Sequence, residues 1–576
     1  MKSIFLSILI LILSISLPAN FMIIESAAQP EHDAIPPDRN AVLSTDGNTS
    51  PLSPSESEEE SPVFLNPPHP IRPHAEFGTS SGALIRYPLG IPLELVRVLS
   101  LEDRVVTIVA SNAVRTQATT AFINANVNMD NVEFIIASTD SFWTRDYGPW
   151  FSYDESGSLN VINFTYNRPR PSDNAINAIY ATFDSLPIYS LGITHCGGNY
   201  MTDGISIAAS SHIAYTENGN NSTYVNQQMY NFLGIDEYHV VQDPNNTYID
   251  HIDCWGKFLS PDTILIRSVP TTHPRYQALE ATAAYFSGQM SSWGRSFNVV
   301  RVHTPENQPY TNSFIINDRV FVPQMGSTWD APALQTYADA MPGYTIIGVM
   351  NNTNNPWVST DAIHCRIKEL AERDVIFIDH MPIAREITIL EDTLEITAEI
   401  QSTTSNPFNP DEIKVFYKIN QGDYQFENMV LNNLEYTASI SGIADQDTLY
   451  YYIRVEDSVG LVGQHPYIGE AWAHWTVVTV PVSISEEPIL PVLELTVYPN
   501  PFYLNNDSNM RIEVVGDNEN EIGHVSMYNI RGQKIFEENM KDYINLDITR
   551  LNLSSGIYFL RYSNKGNVSV RRITIM

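Results

Sequence analysis

The chain has little cysteine, with three residues in 576. Three cysteines cannot build a disulfide framework, and the odd number leaves at least one thiol outside any bridge. After the N-terminus the sequence also lacks apolar runs long enough to cross a bilayer. It contains no Cys-x-x-Cys, no His-Glu-x-x-His, no serine nucleophile elbow and no glycine-rich phosphate loop. The common motifs of zinc, serine-hydrolase and nucleotide-binding sites are therefore absent.

Positive charge is also scarce. There are 32 basic and 66 acidic residues, which gives a net charge of −34 and a pI of about 4.6. Such a surface repels phosphate backbones, so the composition excludes nucleic acid as a partner and favours cationic ligands. Hydrophobic residues make up 43% and charged residues 17%, a globular composition, and the length allows roughly four domains.

The N-terminus has the pattern of a signal peptide over residues 1–28. Lys2 precedes an almost unbroken apolar run at 4–17, and small residues at 26 and 28 offer a cleavage site. An N-terminal anchor is the alternative, because residues 21–24 extend the apolar stretch. Residues 29–62 are rich in Pro, Ser and Glu, which predicts a disordered pro-segment.

The rest of the chain divides into three predicted domains. Residues 63–380 alternate strand-like runs (105–109, 132–137, 263–266, 313–316 and 319–322) with helical stretches (276–289 and 331–340), which predicts an α/β domain with internal repetition. Residues 385–480 show period-two runs at 394–400, 413–419 and 449–455, typical of a small β-sandwich. A proline-rich linker at 481–491 leads to a strand-like module at 492–576.

Two segments combine aromatic, acidic and histidine side chains. In the first, Trp143 and Asp146 offer an aromatic wall and a carboxylate, although a solvated strand end explains this segment alone more simply. In the second, His251 and Asp253 would share one face of a strand, where they could move a proton and hold a cation. A surface pair is an equally favoured interpretation of that segment.

Two further segments offer a thiol and a cationic pair. Cys365 precedes the helix-like residues 366–373, and a helix N-terminus would lower the pKa of a thiol and raise its reactivity. A small buried hydrophobe is the more common fate of a single cysteine. Arg168 and Arg170 stand two apart between prolines, so both could face a carboxylate. A solvated loop is the alternative.

A metal site is less favoured than a nucleophile. Residue types that bind zinc are adjacent at three places: His195-Cys196, Asp253-Cys254 and His364-Cys365. Neighbours on a strand face opposite sides, so one pair could not easily bind one ion. We therefore predict no metal ligands. Cys196 and Cys254 are expected to be buried packing residues, although a bridge between them is conceivable in an exported protein.

Taken in order, these motifs resemble guanidine-modifying deiminases, in the branch of agmatine deiminases and bacterial Porphyromonas-type peptidylarginine deiminases. The resemblance rests on residues 75–77, 84–88, 143–149, 197–199 with 203–204, 251–253 and 364–365. It implies a five-bladed α/β propeller (pentein) of ββαβ units. The secreted peptidylarginine branch is the more similar, because there the catalytic domain is followed by an immunoglobulin-like domain and a sorting domain.

The C-terminal module carries a second set of motifs. Residues 498–502, 528–533 and 555–559 resemble the type IX secretion signal of Bacteroidetes. That resemblance implies the type IX secretion machinery as a partner and passage across the outer membrane. It also implies removal of the module and anchoring to lipopolysaccharide at the surface of a Gram-negative cell.

The family resemblance assigns roles to matching residues. It implies Cys365 as the nucleophile, His251 as the general acid/base, and Asp146 and Asp253 as the carboxylates that hold the guanidinium. The implied substrate-binding residues are Trp143, Asn312, Tyr248, Ile249, Thr360, Arg168 and Arg170. The last two are expected to hold the free carboxylate of a C-terminal arginine.

The implied reaction hydrolyses peptidyl-arginine to citrulline and ammonia through a thiouronium on the cysteine. A guanidinium carbon is deactivated by resonance, so a thiolate suits the attack, and two carboxylates offset the cost of burying the cation. No cofactor is expected, and this branch is calcium-independent. The alternatives are an agmatine deiminase, for which the arginine pair would lack a purpose, and a secreted adhesin with an inert α/β domain.

Overall fold

The computed structural model describes residues 21–24, 66–351, 355–390, 392–480, 494–504, 509–515, 522–551, 553–564 and 567–576. The predicted pro-segment at 29–62, the linker at 481–491 and all of the predicted signal peptide except 21–24 lie outside these residues. The chain divides into two compact units, Met1–Pro481 and Val482–Met576. No helix among the described residues is long and apolar enough to span a membrane.

The first unit opens with an α/β region. Its strands are β1 (Phe21–Ile24), β2 (Arg72–Pro73), β3 (Ser80–Tyr87), β4 (Arg104–Val109), β5 (Val132–Ile136), β6 (Trp150–Tyr153), β7 (Leu159–Tyr166), β8 (Ile188–His195), β9 (Met201–Thr202), β10 (Ile207–Ser211), β11 (Glu237–Val241), β12 (Gly256–Ser260), β13 (Thr263–Ser268), β14 (Asn298–His303), β15 (Phe314–Ile316), β16 (Arg319–Gln324), β17 (Thr345–Met350) and β18 (Lys368–Ala371).

Helices connect these strands. They are α1 (Leu93–Leu99), α2 (Asn112–Asn124), α3 (Thr144–Tyr147), α4 (Pro171–Asn174), α5 (Ile176–Phe183), α6 (Ile213–Thr216), α7 (Ser222–Leu233), α8 (Tyr276–Ser287), α9 (Asp330–Ala340) and α10 (Ile363–Arg366), with 3₁₀ turns at Met129–Asn131, Gly197–Asn199 and Ile252–Cys254. In α7, for example, the Asn221 side chain caps the first turn and Gly234 ends the helix in a left-handed conformation, with φ of 66°.

The described strands of this region form five small sheets. Their orders are β18-β3-β4-β5, β2-β6-β7-β8, β11-β10-β9, β12-β13-β14 and β1-β17-β16-β15. The same ββαβ order recurs: β12 and β13 pair antiparallel, α8 follows, and β14 returns parallel to β13. The units of β15, β16, α9 and β17 and of β9, β10, α7 and β11 repeat this order. This repetition confirms a mixed α/β domain with many sheets.

The two ends of the α/β region share one sheet. Strand β18, near its C-terminal end, pairs antiparallel with β3 near its start. Strand β1 lies within the predicted signal peptide and pairs parallel with β17, where Ile24 is buried. Apolar strand residues form the core between the sheets and helices, so the polar residues that lie at the strand ends are held by a rigid frame.

A two-sheet β-domain follows in the same unit. Its strands are β19 (Ile376–Asp379), β20 (Glu386–Thr388), β21 (Thr393–Ser402), β22 (Phe408–Ile419), β23 (Gln425–Asn428), β24 (Val430–Asn432), β25 (Glu435–Ser441), β26 (Thr448–Asp457), β27 (Val462–His465) and β28 (His474–Thr479), with a 3₁₀ turn at Gly469–Trp472. The sheets run β19-β21-β25-β24 and β20-β28-β26-β22-β23, with β27 paired to β26. Side chains from both sheets, such as Ile396 and Ile453, share one core.

The β-domain packs directly on the α/β region. The Trp293 ring lies against His465 and His474, with ring centres 5.4 and 5.2 Å apart, and Arg72 forms an ion pair of 2.6 Å with Asp379. The α/β region and this β-domain therefore belong to one compact unit.

The second unit is a small β-domain. Its strands are β29 (Glu494–Tyr498), β30 (Asn509–Val515), β31 (Gly523–Asn529), β32 (Lys534–Met540), β33 (Tyr543–Asp547), β34 (Gly556–Asn564) and β35 (Asn567–Ile575), with a 3₁₀ turn at Ile548–Leu551. They form sheets in the orders β29-β30-β33 and β32-β31-β34-β35, around a core that includes Phe502 and Leu560. The predicted strand-rich character of this module is confirmed.

The strands and helices that periodicity predicted in the α/β region are present, but two segments near the polar motifs were misassigned. Strands β4, β5, β13, β15 and β16 and helices α8 and α9 lie where periodicity placed them. The prediction of a helix over 366–373 is wrong, because strand β18 occupies Lys368–Ala371. The assumption of a strand at His251 and Asp253 is also wrong, because Ile252–Cys254 is a 3₁₀ turn.

Candidate active site

Cys365 lies within the one-turn helix α10 and is completely buried. Because α10 has four residues and leads into strand β18, no long helix stands behind the thiol. The predicted activation by a helix dipole therefore does not apply. The thiol must be tuned by the side chains that surround it.

Asn312 fixes the backbone that carries the thiol. Its Oδ1 accepts hydrogen bonds from the backbone N–H groups of Ala362 at 2.9 Å and Cys365 at 3.3 Å. Its Nδ2 donates to Cys365 Sγ at 3.2 Å. One buried amide thus sets the position of the Cys365 loop and stabilises negative charge on the sulfur.

Asp253 is the carboxylate next to the thiol. Its Oδ2 lies 3.3 Å from Cys365 Sγ and 2.9 Å from His364 Nδ1. Burial would raise the pKa of Asp253, but the hydrogen bond and charge of His364, together with the charge of His251, lower that pKa to about 2. Asp253 is therefore ionised at neutral pH, as a ligand for a cationic substrate must be.

His364 joins the site to a buried charge network. It bridges two carboxylates, because Nε2 lies 3.0 Å from Glu76 Oε2 on the side away from Asp253. Lys257 donates to the same Glu76 oxygen at 2.6 Å, and Arg145 lies 3.6 Å from the other. Burial would raise the pKa of Glu76, but these cations hold it well below its usual range. The network fixes the orientation of the His364 ring beside Asp253.

Trp143 precedes the one-turn helix α3, and Asp146 lies within it. Trp143 is buried and packs with Phe142 and Cys365 in a small cluster, so an indole lies beside the thiol. Asp146 is 4% exposed, and Arg145 is buried in an ion pair with Glu369. The alternative of a solvated strand end is therefore wrong for this segment, because its charges point into the protein.

His251 lies close to Asp146 and to a second thiol. His251 Nδ1 is 4.0 Å from Asp146 Oδ1 and 3.9 Å from Cys196 Sγ. Burial raises the pKa of the Cys196 thiol well above its usual range, and the Asp146 charge adds to that effect. Ligand atoms of Asp146, Cys196 and His251 all lie within 4.8 Å of one another.

Gly198 marks the point at which the polar groups converge. A methyl group built on Gly198 would lie 2.7 Å from Asp146 Oδ1, 2.9 Å from His251 Nδ1 and 3.1 Å from Asp253 Oδ2. Two carboxylates and an imidazole thus surround one small space on the floor formed by the 3₁₀ turn Gly197–Asn199. This is the arrangement expected around a planar cation that must also exchange protons.

The two arginines contact different partners. Arg170 is 7% exposed, its Cζ lies 4.7 Å from the centre of the Trp143 ring, and its Nη1 donates to Tyr166 Oη at 3.1 Å. Arg168 donates to the backbone oxygen of Asn167 and lies 3.8 Å from Glu217 Oε1. Arg170 therefore borders the Trp143 wall directly.

Of the remaining predicted contacts, Thr360 lies beside the thiol. The Thr360 backbone oxygen is 3.8 Å from Cys365 Sγ and 3.9 Å from Cys254 Sγ. Ile249 is buried, whereas Tyr248 is 56% exposed at the surface. The three cysteines are all among the described residues, and no disulfide joins them.

Sequence reasoning missed several residues that the structure places at the site. Glu76 and His364 lie inside the motifs of the family resemblance, but their spacing alone predicts no role for them. Cys196 was assigned to packing, and its place beside His251 depends on two turns that are 55 residues apart. Gly198 stood in a double glycine, which was the available signal for a close approach to the backbone.

The comparisons with known proteins agree with the motifs. Residues 91–369 match the family described as Porphyromonas-type peptidyl-arginine deiminase, and residues 496–576 match a secretion-system C-terminal sorting domain. The predicted family is confirmed: the first region is a guanidine-modifying deiminase domain, a hydrolase of guanidino C–N bonds. The type IX sorting domain confirms the predicted location, which is secreted or at the outer-membrane surface.

Individual relatives are distant in sequence. An agmatine deiminase of Medicago truncatula is 22% identical over 292 residues, covering 41% of this chain and 77% of the relative. An agmatine deiminase of Stutzerimonas stutzeri is 20% identical over 277 residues, covering 40% and 75%. The solved agmatine deiminase of Enterococcus faecalis has a TM-score of 0.49 and 17% identity, covering 54% of this chain and 99% of that one.

Proposed function

We propose that this chain, with its deiminase domain and sorting tail, is a secreted peptidylarginine deiminase that converts C-terminal arginine to citrulline. The observation that carries this proposal is the convergence of Asp146, His251 and Asp253 around Gly198, with Cys365 Sγ 3.3 Å from Asp253. Two carboxylates can pair with a guanidinium through charge-assisted hydrogen bonds, and a thiol stands at its side.

The proposed reaction has two halves that share one base. The Cys365 thiolate attacks the guanidinium carbon, and His251 donates a proton to one nitrogen, which leaves as ammonia. The S-alkylthiouronium that remains is attacked by water, from which His251 removes a proton. The C–S bond then breaks, and the thiolate is regenerated as citrulline departs. As the carbonyl forms, the hydroxyl proton of the adduct leaves to solvent, where it protonates the ammonia. The sum is one arginine cation and one water giving one citrulline and one ammonium ion.

The side chains around the thiol support these roles. The Asn312 amide donates to Cys365 Sγ at 3.2 Å, which favours the thiolate. The Trp143 indole packs against the same thiol and offers an apolar wall for the aliphatic stem of arginine. Tyr248, Ile249 and Thr360 are proposed as contacts of the substrate backbone and stem. No cofactor or calcium takes part in this proposal.

The proposed substrate is a peptide that ends in arginine. Arg170 borders the Trp143 wall, where a free carboxylate on the bound arginine would meet its guanidinium. Arg168 is the second candidate. Burial raises the pKa of its neighbour Glu217 to about 7, so near neutral pH Glu217 is protonated in part of the molecules. In those molecules Arg168 has no ionised Glu217 beside it.

Replacing Arg170 with alanine should raise KM for a peptide ending in free arginine by about 10- to 100-fold, because a charged hydrogen bond contributes about 1.5–3 kcal/mol. KM for the C-terminal amide of the same peptide should change much less, since the amide carries no charge at that position. Arg168→Ala should act in the same direction with a smaller effect. Steady-state citrulline release from both peptides measures these values.

Arg170→Lys is the matched variant, because it keeps the charge and removes the bidentate geometry. It should fall between the native protein and Arg170→Ala on the free acid. An equal loss on the acid and the amide would contradict the proposal, since it would show that Arg170 supports the Trp143 wall instead of binding a carboxylate.

Agmatine is the alternative substrate of the same chemistry, and the named relatives above favour it. Agmatine has no carboxylate, so it offers no group for the buried Arg170 beside the Trp143 ring to bind. The second alternative is a secreted adhesin. An adhesin would not need the bonds that Asn312 and Asp253 make with Cys365. We therefore favour the enzyme that acts on peptides.

The finer architecture is part of the proposal. The five small sheets with a recurring ββαβ order suit a five-bladed propeller over residues 63–380, and the two packed sheets suit an immunoglobulin-like domain over 385–480. We propose that residues 1–28 are removed on export, which would uncover the β17 edge now paired with β1. We further propose that 29–62 is a pro-segment, 481–491 a linker, and 492–576 a module whose removal permits anchoring to lipopolysaccharide.

A further inference from the structure

We propose that Asp146, Cys196 and His251 form a binding site for a zinc-type divalent cation, and that the bound ion blocks the guanidinium site. This inference goes beyond the proposed reaction, which needs no metal. Its binding experiment does not depend on that reaction.

The three side chains offer the ligand types that zinc prefers. They are a carboxylate, a thiol and an imidazole, and all three are at least 96% buried, with exposures of 4%, 1% and 1%. The thiol and imidazole select zinc or a similar transition metal over magnesium and calcium, which prefer oxygen ligands. Three protein ligands with an open fourth position are common in zinc sites that also admit a water or substrate.

The distances are close to those of a tetrahedral site. Usual zinc bond lengths require about 3.6 Å between a sulfur and a nitrogen ligand, and about 3.4 Å between a nitrogen and an oxygen ligand. The structure has 3.9 Å from Cys196 Sγ to His251 Nδ1 and 4.0 Å from His251 Nδ1 to Asp146 Oδ1. Shifts of about half an ångström would complete the geometry, which side-chain rotations can supply.

The charges also balance. Coordination by Asp146 and by a Cys196 thiolate supplies two negative charges, and neutral His251 supplies none, so a dication gives a neutral buried complex. The Cys196 proton leaves to solvent when the metal binds. A single monovalent cation at the same three ligands would leave a negative charge buried.

Occupancy of this site excludes the substrate. Asp146 Oδ1 and His251 Nδ1 both lie within 3 Å of the Cβ position at Gly198 and face the space that we propose for the guanidinium. A metal on these atoms uses one of the two carboxylates and the general acid/base. The bound ion should therefore inhibit competitively with the arginine substrate, a consequence that rests on the proposed function.

The test is metal binding to the full chain after treatment with a chelator. Zinc titrated by calorimetry should bind at one site per chain, and cobalt should give a near-ultraviolet thiolate-to-cobalt absorption band. Cys196→Ser should abolish the band and weaken zinc binding by at least about 100-fold. Cys254→Ser, which alters another buried thiol outside the set, and Cys365→Ser should both retain the band.

X-ray absorption of the zinc-loaded native protein gives a second measurement that needs no variant. It should show one sulfur and otherwise nitrogen and oxygen ligands. The proposal is overturned if zinc does not bind stoichiometrically, if no sulfur is bound, or if Cys365→Ser removes the cobalt band and Cys196→Ser does not. The last result would place the metal on the nucleophile.

Discussion

Replacing Cys365 with serine should lower citrulline release by about 10⁴-fold or more, the scale seen when an enzyme loses its nucleophile. Serine is a much weaker acid, so its hydroxyl is not ionised beside the Asp253 carboxylate and cannot attack the deactivated guanidinium carbon. The change in volume is small, and we expect the thermal unfolding temperature to stay close to that of the native protein. Steady-state citrulline release and thermal unfolding by circular dichroism measure the two effects.

Cys254→Ser is the matched control for this variant. Cys254 is also buried, and its Sγ contacts Asp253 Oδ1 at 3.5 Å and the same Thr360 oxygen that Cys365 contacts. We expect it to retain most of the activity, because no bond forms on that sulfur. In acid-quenched reactions, mass spectrometry should find the thiouronium on the peptide that contains Cys365. Citrulline release by Cys365→Ser at near-native rates would contradict the mechanism.

Replacing Gly198 with alanine should lower kcat/KM on the order of 10³-fold. The added methyl group would lie 2.7 Å from Asp146 Oδ1 and 2.9 Å from His251 Nδ1, closer than real Cβ atoms come. It would also lie 3.1 Å from Asp253 Oδ2, a tight contact. The three groups must then move apart, and a displacement near 1 Å already costs about 10²-fold when reacting groups are misplaced. The methyl group also fills the space that the guanidinium needs. Citrulline release at several substrate concentrations separates kcat from KM.

Gly256→Ala is the matched control for Gly198→Ala. Gly256 is a buried glycine of the same domain, just after the Ile252–Cys254 turn, but the atoms nearest to its added methyl group lie 3.6 Å or more away. That variant should keep near-native activity. If Gly198→Ala were equally active, the point of convergence above Gly198 would not be the binding site of the substrate.

The sequence predicted the architecture well where hydrophobic periodicity is strong. Strand β4 is mostly apolar, β13 has a short apolar run, and helix α8 has a clear apolar face, so local patterns were sufficient. The two errors fall at 366–373, where the single turn of α10 leads into strand β18, and at the single turn Ile252–Cys254. Long-range bonds fix both turns. Asn312, for example, accepts from the backbone of Ala362, which is 50 residues away.

The candidate site was predicted through family resemblance more than through spacing. The motif places His251 and Asp253 two residues apart, and both side chains lie beside Gly198 in the fold. The segment is a 3₁₀ turn, however, and not the expected strand. Glu76 illustrates the limit, because it reaches His364 over 288 residues of sequence. No local pattern indicates that Glu76, near the start of the domain, forms a hydrogen bond with the histidine that precedes Cys365.

Cys196 shows why burial alone did not settle a role. The sequence suggested a buried thiol, and the structure places it in the interior. What the sequence could not indicate is that this interior is the candidate active site, because Cys196 and His251 meet only when two separate turns pack together. A buried thiol beside His251 has a polar partner, which a thiol in an apolar core lacks.

Citrulline release by the purified native protein tests the central claim most directly. Three substrates are compared: a peptide ending in arginine, the same peptide with internal arginine, and agmatine. We expect kcat/KM to be highest for the C-terminal arginine, with and without chelator and with and without calcium. A preference for agmatine would contradict the proposed substrate, and the absence of citrulline from all three under every condition would contradict the assignment of this site to deiminase chemistry.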